Sequence, residues 1–290
     1  DSEVNINVLS KKSVKIDLDS LNIPIISPTQ RSVSKGENAS SVVFQINDEI
    51  YNTNTFINYG LVNLKKNGVL RKHQISRLEI CPFEYNPVTN QLIVYYDIEF
   101  EIEFSKSSLL QNEYSGYNQN EFSSLLNKCI NNSYNQNRDY ITSYPTSYVI
   151  VSDRSFEQEI QPLIDWKTKK GFNVIEAYTD QENVGNTAES IKAYLEDLYN
   201  NPINENPPSY ILLVGDVSEI PSFNGFYGNH VSDLYYAEYD GDNDIYADVY
   251  YGRFSSSDPN EIHNMVEKTI KYEMYDFQDP SFLANAVMIS

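Results

Sequence analysis

The sequence predicts an α+β protein in two parts: an antiparallel β-sandwich, followed by an α/β part on a mostly parallel sheet. Across residues 1–106 apolar and polar residues alternate at period two in short runs, as expected of strands with one solvated face. Across residues 147–290 short all-apolar runs alternate with segments of helical period, the pattern of strands covered on both faces and their crossover helices. Between them, residues 107–146 are polar and rich in Asn, Ser and Tyr, and read as a linker.

In the first part VNINVL, SVKIDL, SVVFQI, GLVNL, ISRLEICPFEYN and QLIVYYDIEFEIEF each predict a strand, separated by Asn, Gly, Pro and Ser clusters. Tyr85 to Asn90, YNPVTN, is the clearest turn. In the strand that follows, Ile98, Phe100, Ile102 and Phe104 fall on one face, and Asp97, Glu99, Glu101 and Glu103 on a solvated face. The linker holds one helical candidate, Glu121 to Ile130, and two basic residues, Lys128 and Arg138, which are natural points for proteolytic nicking.

In the second part YVIVS is a buried strand and Phe156 to Lys170 a helix ending at a Lys-Lys-Gly stop. FNVIEAY is the next strand, and Thr187 to Tyr199 is an amphipathic helix with a Thr cap and Ile191, Leu195 and Leu198 inward. SYILLVGD, a long loop, ADVYYGRF, a helix from Pro259 to Tyr272 and a last strand from Ala284 to Ile289 complete the series. This order implies right-handed crossovers.

The chain has 290 residues, with 21 Lys plus Arg against 41 Asp plus Glu, a formal charge of −20 and a pI near 4.4. Such a surface repels phosphate backbones and anionic membranes, which argues against nucleic acid as a partner, and it favours bound cations, calcium above all. No apolar run approaches the roughly 20 residues of a membrane span. Cys81 and Cys129 are too few for a disulfide framework and lack metal-ligand spacing. The chain opens on DSEVNINV with neither Met nor signal peptide, and with its polar composition this fits a protein secreted or held at the cell surface.

In open α/β sheets, ligands gather outside the carboxyl ends of the strands, where Gly215-Asp216 and Gly252-Arg253 fall. There is no G-x-S-x-G, H-E-x-x-H, P-loop or G-x-G-x-x-G. Of the histidines, His73 lies beside Arg71 and Lys72 and reads as a surface residue, His263 falls on a helix, and only His230 sits in a loop at the active end. Asp216, His230, Asp233 and Arg253 are therefore the candidates for a cleft wall. In YDGDNDIYAD, Asp240, Asp242, Asp244 and Asp248 surround a Gly and could wrap calcium, although Tyr251 stands where an EF-hand needs its closing Glu.

SYVIVSDRSFEQEIQPLIDWKTKKGF, TAESIKAYLEDLY, PSYILLVGDVSEIP, VSDLYYAEYDGDNDIYADVYYGRFS and EIHNMVEKTIKYE, in that order, resemble the first part of the catalytic domain of the gingipain family of cysteine peptidases, clan CD. ICPFEYNPVTNQLIVYYDIEFEIEF resembles the propeptide domain that precedes it. The resemblance implies a propeptide over 1–106, an activation linker over 107–146 with Arg138 or Lys128 as the cleavage site, and the N-terminal part of a caspase-like domain over 147–290. It implies a zymogen that hydrolyses peptide bonds with a Cys thiolate and a His base, acting on protein or peptide substrates. In the family that dyad lies beyond the position of Ser290, so no catalytic residue is expected here, and neither Cys81 nor Cys129 is read as the nucleophile. The expectation is a truncated chain, inactive alone, that needs the remainder of the catalytic domain to cover an apolar sheet edge. A surface sortase or transpeptidase of the same family, and a non-catalytic inhibitory or binding module, are the alternatives.

Overall fold

The computed structural model describes residues 4–33, 38, 43–104, 120–129, 145–202, 206–225, 230–241 and 245–288. They form two compact units, one of residues 1–67 and 76–111, the other of residues 68–75 and 112–290.

The first unit carries β1 (Val4–Asp17), a single helical turn α1 (Asp48–Tyr51), most of β2 (Val62–Leu70) and of β3 (His73–Ile80), then β4 (Phe83–Asn86) and β5 (Gln91–Phe104). β1, β5 and β4 form an antiparallel sheet in that order, and β2 pairs with β3 separately. VNINVL and SVKIDL make one strand instead of two. Register shifts between Val8 and Ser10 and between Ser10 and Lys12 absorb the polar break, and Asp97, at φ 53°, takes the strain on the partner strand. The predicted β5 alternation holds: Ile98, Phe100 and Ile102 are half-buried while Glu99, Glu101 and Glu103 are exposed. In the turn before it, the Asn86 side chain accepts the N–H groups of Val88 (3.1 Å) and Thr89 (3.3 Å).

One predicted strand of this unit is corrected. Within SVVFQI, residues 43–46 are not a strand, because the Gln30 side-chain amide takes both backbone groups of Gln45, at 2.8 and 2.9 Å, in place of a ladder partner.

The second unit runs α2 (Asn120–Cys129), β6 (Ser147–Ser152), α3 (Glu157–Lys169), β7 (Asn173–Tyr178), α4 (Ala188–Asn200), β8 (Tyr210–Val214), the short pair β9 (Phe223–Asn224) and β10 (Val231–Ser232), β11 (Tyr250–Phe254) and α5 (Pro259–Glu273). The sheet order is β11-β8-β6-β7, and every pair in it is parallel. The chain therefore reverses direction beside β6, placing β7 on one side and β8 on the other. Because side chains alternate along each strand, two cores result. Val149, Val151, Ile211 and Leu213 pack with Ile191, Leu195 and Tyr199 of α4. Ile150, Leu212 and Val214 pack with α3 and α5 through Ile160, Leu163, Ile262 and Val266. Thr187 caps α4 as predicted, in a reciprocal box with Ser190.

The predicted strand from Ala284 to Ile289 is also corrected. Pro280–Ala284 is a 3-10 turn and residues 285–288 are extended without a ladder, with Val287 83% and Met288 95% exposed. An apolar run is only a strand when a neighbour takes its backbone groups, and none does among the described residues.

Glu273 clamps α5 to the end of α3. It accepts from Trp166 Nε1 (2.9 Å), Lys167 Nζ (2.6 Å) and Lys170 Nζ (2.9 Å). Burial pushes its carboxyl up, but these three donors outweigh burial and hold it at about 2, below the ordinary 4.5. A depressed carboxyl stabilises the fold above its unfolded pKa, and that contribution is lost as pH falls from about 4.5 toward 2. Glu273→Gln is expected to lower the melting temperature at pH 6 and to flatten its fall over that acid window; melts from pH 2 to 6 check it.

Candidate functional site

At the carboxyl ends of the strands, β8 stops at Val214 and turns through Gly215 at φ +131°, where a Cβ would meet Glu219 Cβ at 2.7 Å. Only glycine suits both the angle and the space. Asp216 follows, its Oδ1 accepting the Ser255 hydroxyl at 2.9 Å. That bond, then the Val217 N–H, holds its carboxyl below the usual range.

Arg253, near the end of β11, is the hub of this end. Its Nε and Nη2 donate to the two carboxylate oxygens of Asp233 at 2.8 and 2.7 Å, and its Nη1 donates to the carbonyls of Gly215 (2.9 Å) and Ile220 (2.8 Å). The side chain is 10% exposed. With a fifth, longer contact from Nη1 to the Asp216 carbonyl at 3.4 Å, the guanidinium ties the 215–220 loop and Asp233 to β11 in one rigid wall. His230 is exposed at the return of the β9–β10 hairpin, its carbonyl accepting the Gly225 N–H at 2.8 Å. The fold thus joins Asp216, Asp233 and Arg253 in one network, with His230 on a neighbouring turn. His263 is exposed on α5, 3.4 Å from Glu267.

The amino ends of β8 and β11 hold a second constellation. The tip of the β2–β3 hairpin, part of this unit, turns through Arg71 at φ 49° and Lys72 at φ 66°. Two-residue hairpin turns of this shape favour Asn and Gly, so two long cationic residues there cost about 1–2 kcal/mol each. Arg71 is fully buried. Its Nη1 donates to the carbonyls of Pro208 and Asp248, both at 2.8 Å, and its guanidinium carbon lies 4.5 Å from the Phe122 ring centre and 5.6 Å from that of Tyr199. The Arg71 N–H donates to Asp248 Oδ1 at 2.6 Å, and the Tyr239 N–H to Oδ2 at 2.9 Å. Lys72 donates from its backbone N–H to Asp240 Oδ2 (3.0 Å) and pairs through Nζ with Oδ1 (2.7 Å). Burial, and then the neighbouring Asp240, raise the Asp248 carboxyl well above the ordinary aspartate value.

Of the four aspartates that could wrap calcium, Asp242 and Asp244 lie outside the described residues. The oxygens of Asp240 and Asp248 are directed at N–H and ammonium donors of the hairpin tip and Tyr239, so these two do not fit a calcium ion while the tip is seated. Arg138 also lies outside the described residues, and Lys128 is exposed in the last turn of α2. His73, read as a surface residue, is half-buried, and Arg71 two residues before it is part of the core. Sequence reasoning missed Arg71; the one signal was a hairpin without Gly or Asn at its turn. Cys81 is not in a disulfide and sits 3.6 Å from the Phe83 carbonyl.

The fold joins an N-terminal antiparallel β region to a parallel α/β unit whose strand ends carry a braced wall, and comparisons with known proteins define the class as a propeptide joined to a peptidase. The model of peptidase family C25 matches residues 141–290, and that of the C25 propeptide matches residues 1–141. The chain belongs to peptidase family C25, the gingipain-type cysteine peptidases, and carries the family's propeptide segment. It is 32% identical over 270 residues to Lys-gingipain HG66 of Porphyromonas gingivalis, covering 91% of this chain and 15% of that protein. It is 24% identical over 270 residues to gingipain R2 of the same species, covering 92% and 36%. A solved structure concerning the zymogenic latency of gingipain K from Porphyromonas gingivalis is 29% identical, with a TM-score of 0.34, over 36% of this chain and 57% of that one. The chain thus spans well under half the length of these curated relatives. Among the described residues no helix is long and apolar enough to cross a membrane.

Proposed function

We propose that this chain is the propeptide and first catalytic subdomain of a secreted or surface-held cysteine endopeptidase zymogen of the gingipain type. The observation that carries the reading is the junction of the two family matches at residue 141, just after Arg138. That placement favours Arg138 over Lys128 as the activation cleavage site. The reaction is hydrolysis of peptide bonds in protein or peptide substrates by a Cys thiolate with a His base, and both residues are assigned to the remainder of the catalytic domain after Ser290. The chain's own part is to build the sheet and the wall of Asp216, Asp233 and Arg253, with His230 at its margin. This 290-residue piece alone is inactive. A structural calcium is proposed for the 240–248 loop in the form where the tip has left, since vacated, buried carboxylates repel one another until a hard cation neutralises them.

The test uses the full-length precursor with fluorogenic dipeptides ending in Arg or Lys, with and without calcium and reductant. Reductant-dependent release and a mature N-terminus at Asp139 by mass spectrometry are expected. Transfer of the acyl group to an added amine in place of water would favour a transpeptidase. No turnover under any condition would favour a binding module.

A further inference from the structure

The Arg71 constellation is divided between two stretches of chain that a cut in the linker would separate. Arg71, Lys72 and Phe122 all precede both Lys128 and Arg138. Tyr199, Pro208, Tyr239, Asp240 and Asp248 all follow them. Phe122 belongs to the same seat: its ring lies under the guanidinium of Arg71 and stacks on Tyr250 at 4.7 Å. The Arg71 contacts across this division are buried, those of Lys72 with Asp240 are partly buried, and Lys72 Nζ adds an exposed bond to Asn200 Oδ1 at 2.9 Å.

We propose that the pocket of Tyr199, Pro208, Tyr239, Asp240 and Asp248 is a receptor for a basic hairpin tip, and that Arg71 and Lys72 seated in it keep the propeptide segment bound after the linker is cut. The inference rests on the zymogen reading above, because it assigns a function to what remains after that cleavage. Three features support an anchor over incidental packing. The Arg71 guanidinium is fully buried, so release must break its bonds to two buried carbonyls, take the Arg71 N–H from Asp248 Oδ1 and leave Asp240 without the Lys72 donors, which slows dissociation. Both turn residues are held at positive φ, a strain that persists where the surroundings over-determine the shape. The seat also flanks the starts of β8 and β11, through the carbonyls of Pro208 and Asp248, and so leaves the carboxyl ends, where the wall stands, uncovered by the tip. A cut in the linker does not touch it. A piece freed of its propeptide would carry this pocket without the tip, open to the calcium ion proposed above or to another turn with adjacent Arg and Lys.

The test places a recognition sequence for an added protease within residues 130–144 of the full-length precursor, cuts it, and follows co-elution of the N-terminal fragment by size exclusion. Wild type and the exposed-pair control Lys12→Ala are expected to retain the fragment. Arg71→Ala is expected to release it roughly 100-fold faster, and Lys72→Ala or Asp240→Asn roughly 10-fold faster. Arg71→Lys should rescue little, because an ammonium cannot bridge two carbonyls and two rings in the same plane. If Arg71→Ala precipitates, the milder Lys72→Ala and Asp240→Asn, with melts confirming their fold, decide the matter. Release within twofold of wild type in the variants that fold overturns the anchor. Dipeptide turnover in the same samples is scored separately: tip-dependent retention without turnover would overturn the peptidase reading and leave the anchor standing.

Discussion

Arg253→Ala is expected to destabilise the second unit by about 2–4 kcal/mol, somewhat below the range for removing one partner of a fully buried ion pair because Asp233 keeps 22% of its side chain exposed. The substitution leaves Asp233 without its bidentate partner and strips donors from the carbonyls of Gly215 and Ile220. Arg253→Lys should recover little of the loss, since no single ammonium satisfies Asp233 and both carbonyls together. Asp233→Asn should cost less, and the double variant should cost less than the sum, because both changes break one network. Urea unfolding of the single and double variants checks this; a loss under about 1 kcal/mol for Arg253→Ala would show that the wall stands without its hub.

Leu213→Ala is expected to cost about 3–5 kcal/mol. Leu213 is fully buried on β8, an interior strand of the parallel sheet, and faces the α4 core. Its neighbours there are the β-branched Val149, Val151 and Ile211 with Ile191, which have little freedom to close over a void. Val217→Ala, just beyond the same strand, is the matched control: at 47% exposure it should change stability by less than about 0.5 kcal/mol. Equal costs at the two positions would contradict the assignment of β8 to the interior.

The second unit was legible in the sequence because its elements are strongly periodic. The run Ile211 to Val214, short and closed by Gly215, read as a strand covered on both faces, and Thr187 announced the start of α4 through a cap whose chemistry is local. The Asp216, Asp233 and Arg253 network was half legible: position after a strand end pointed to the residues, whereas the bidentate pairing of Asp233 with Arg253 depends on how a long loop folds back. Residues 43–46 were misread because the alternation that predicts a strand takes no account of a competing partner, here the side chain of Gln30. The extension after Ala284 failed for a related reason, as propensity speaks to the strand and not to its neighbour. Arg71 was missed for the deepest reason, its one signal being a hairpin turn without Gly or Asn. A basic pair at a hairpin tip has the composition of a solvated turn, and nothing local announces that Asp248 will be waiting for it.

The distance along the chain between Arg71 and Asp248, 177 residues, bears on the order in which the molecule assembles. Closing so long a loop is entropically slow and is not rewarded until its target exists. Both carbonyls that receive Arg71 flank β8 and β11, so the target exists only once those strands have paired. Burial of the tip is therefore a late event that reports on a finished sheet: a chain whose parallel strands have mispaired offers Arg71 no place to sit, and its hairpin stays open to the proteases that remove unfinished protein.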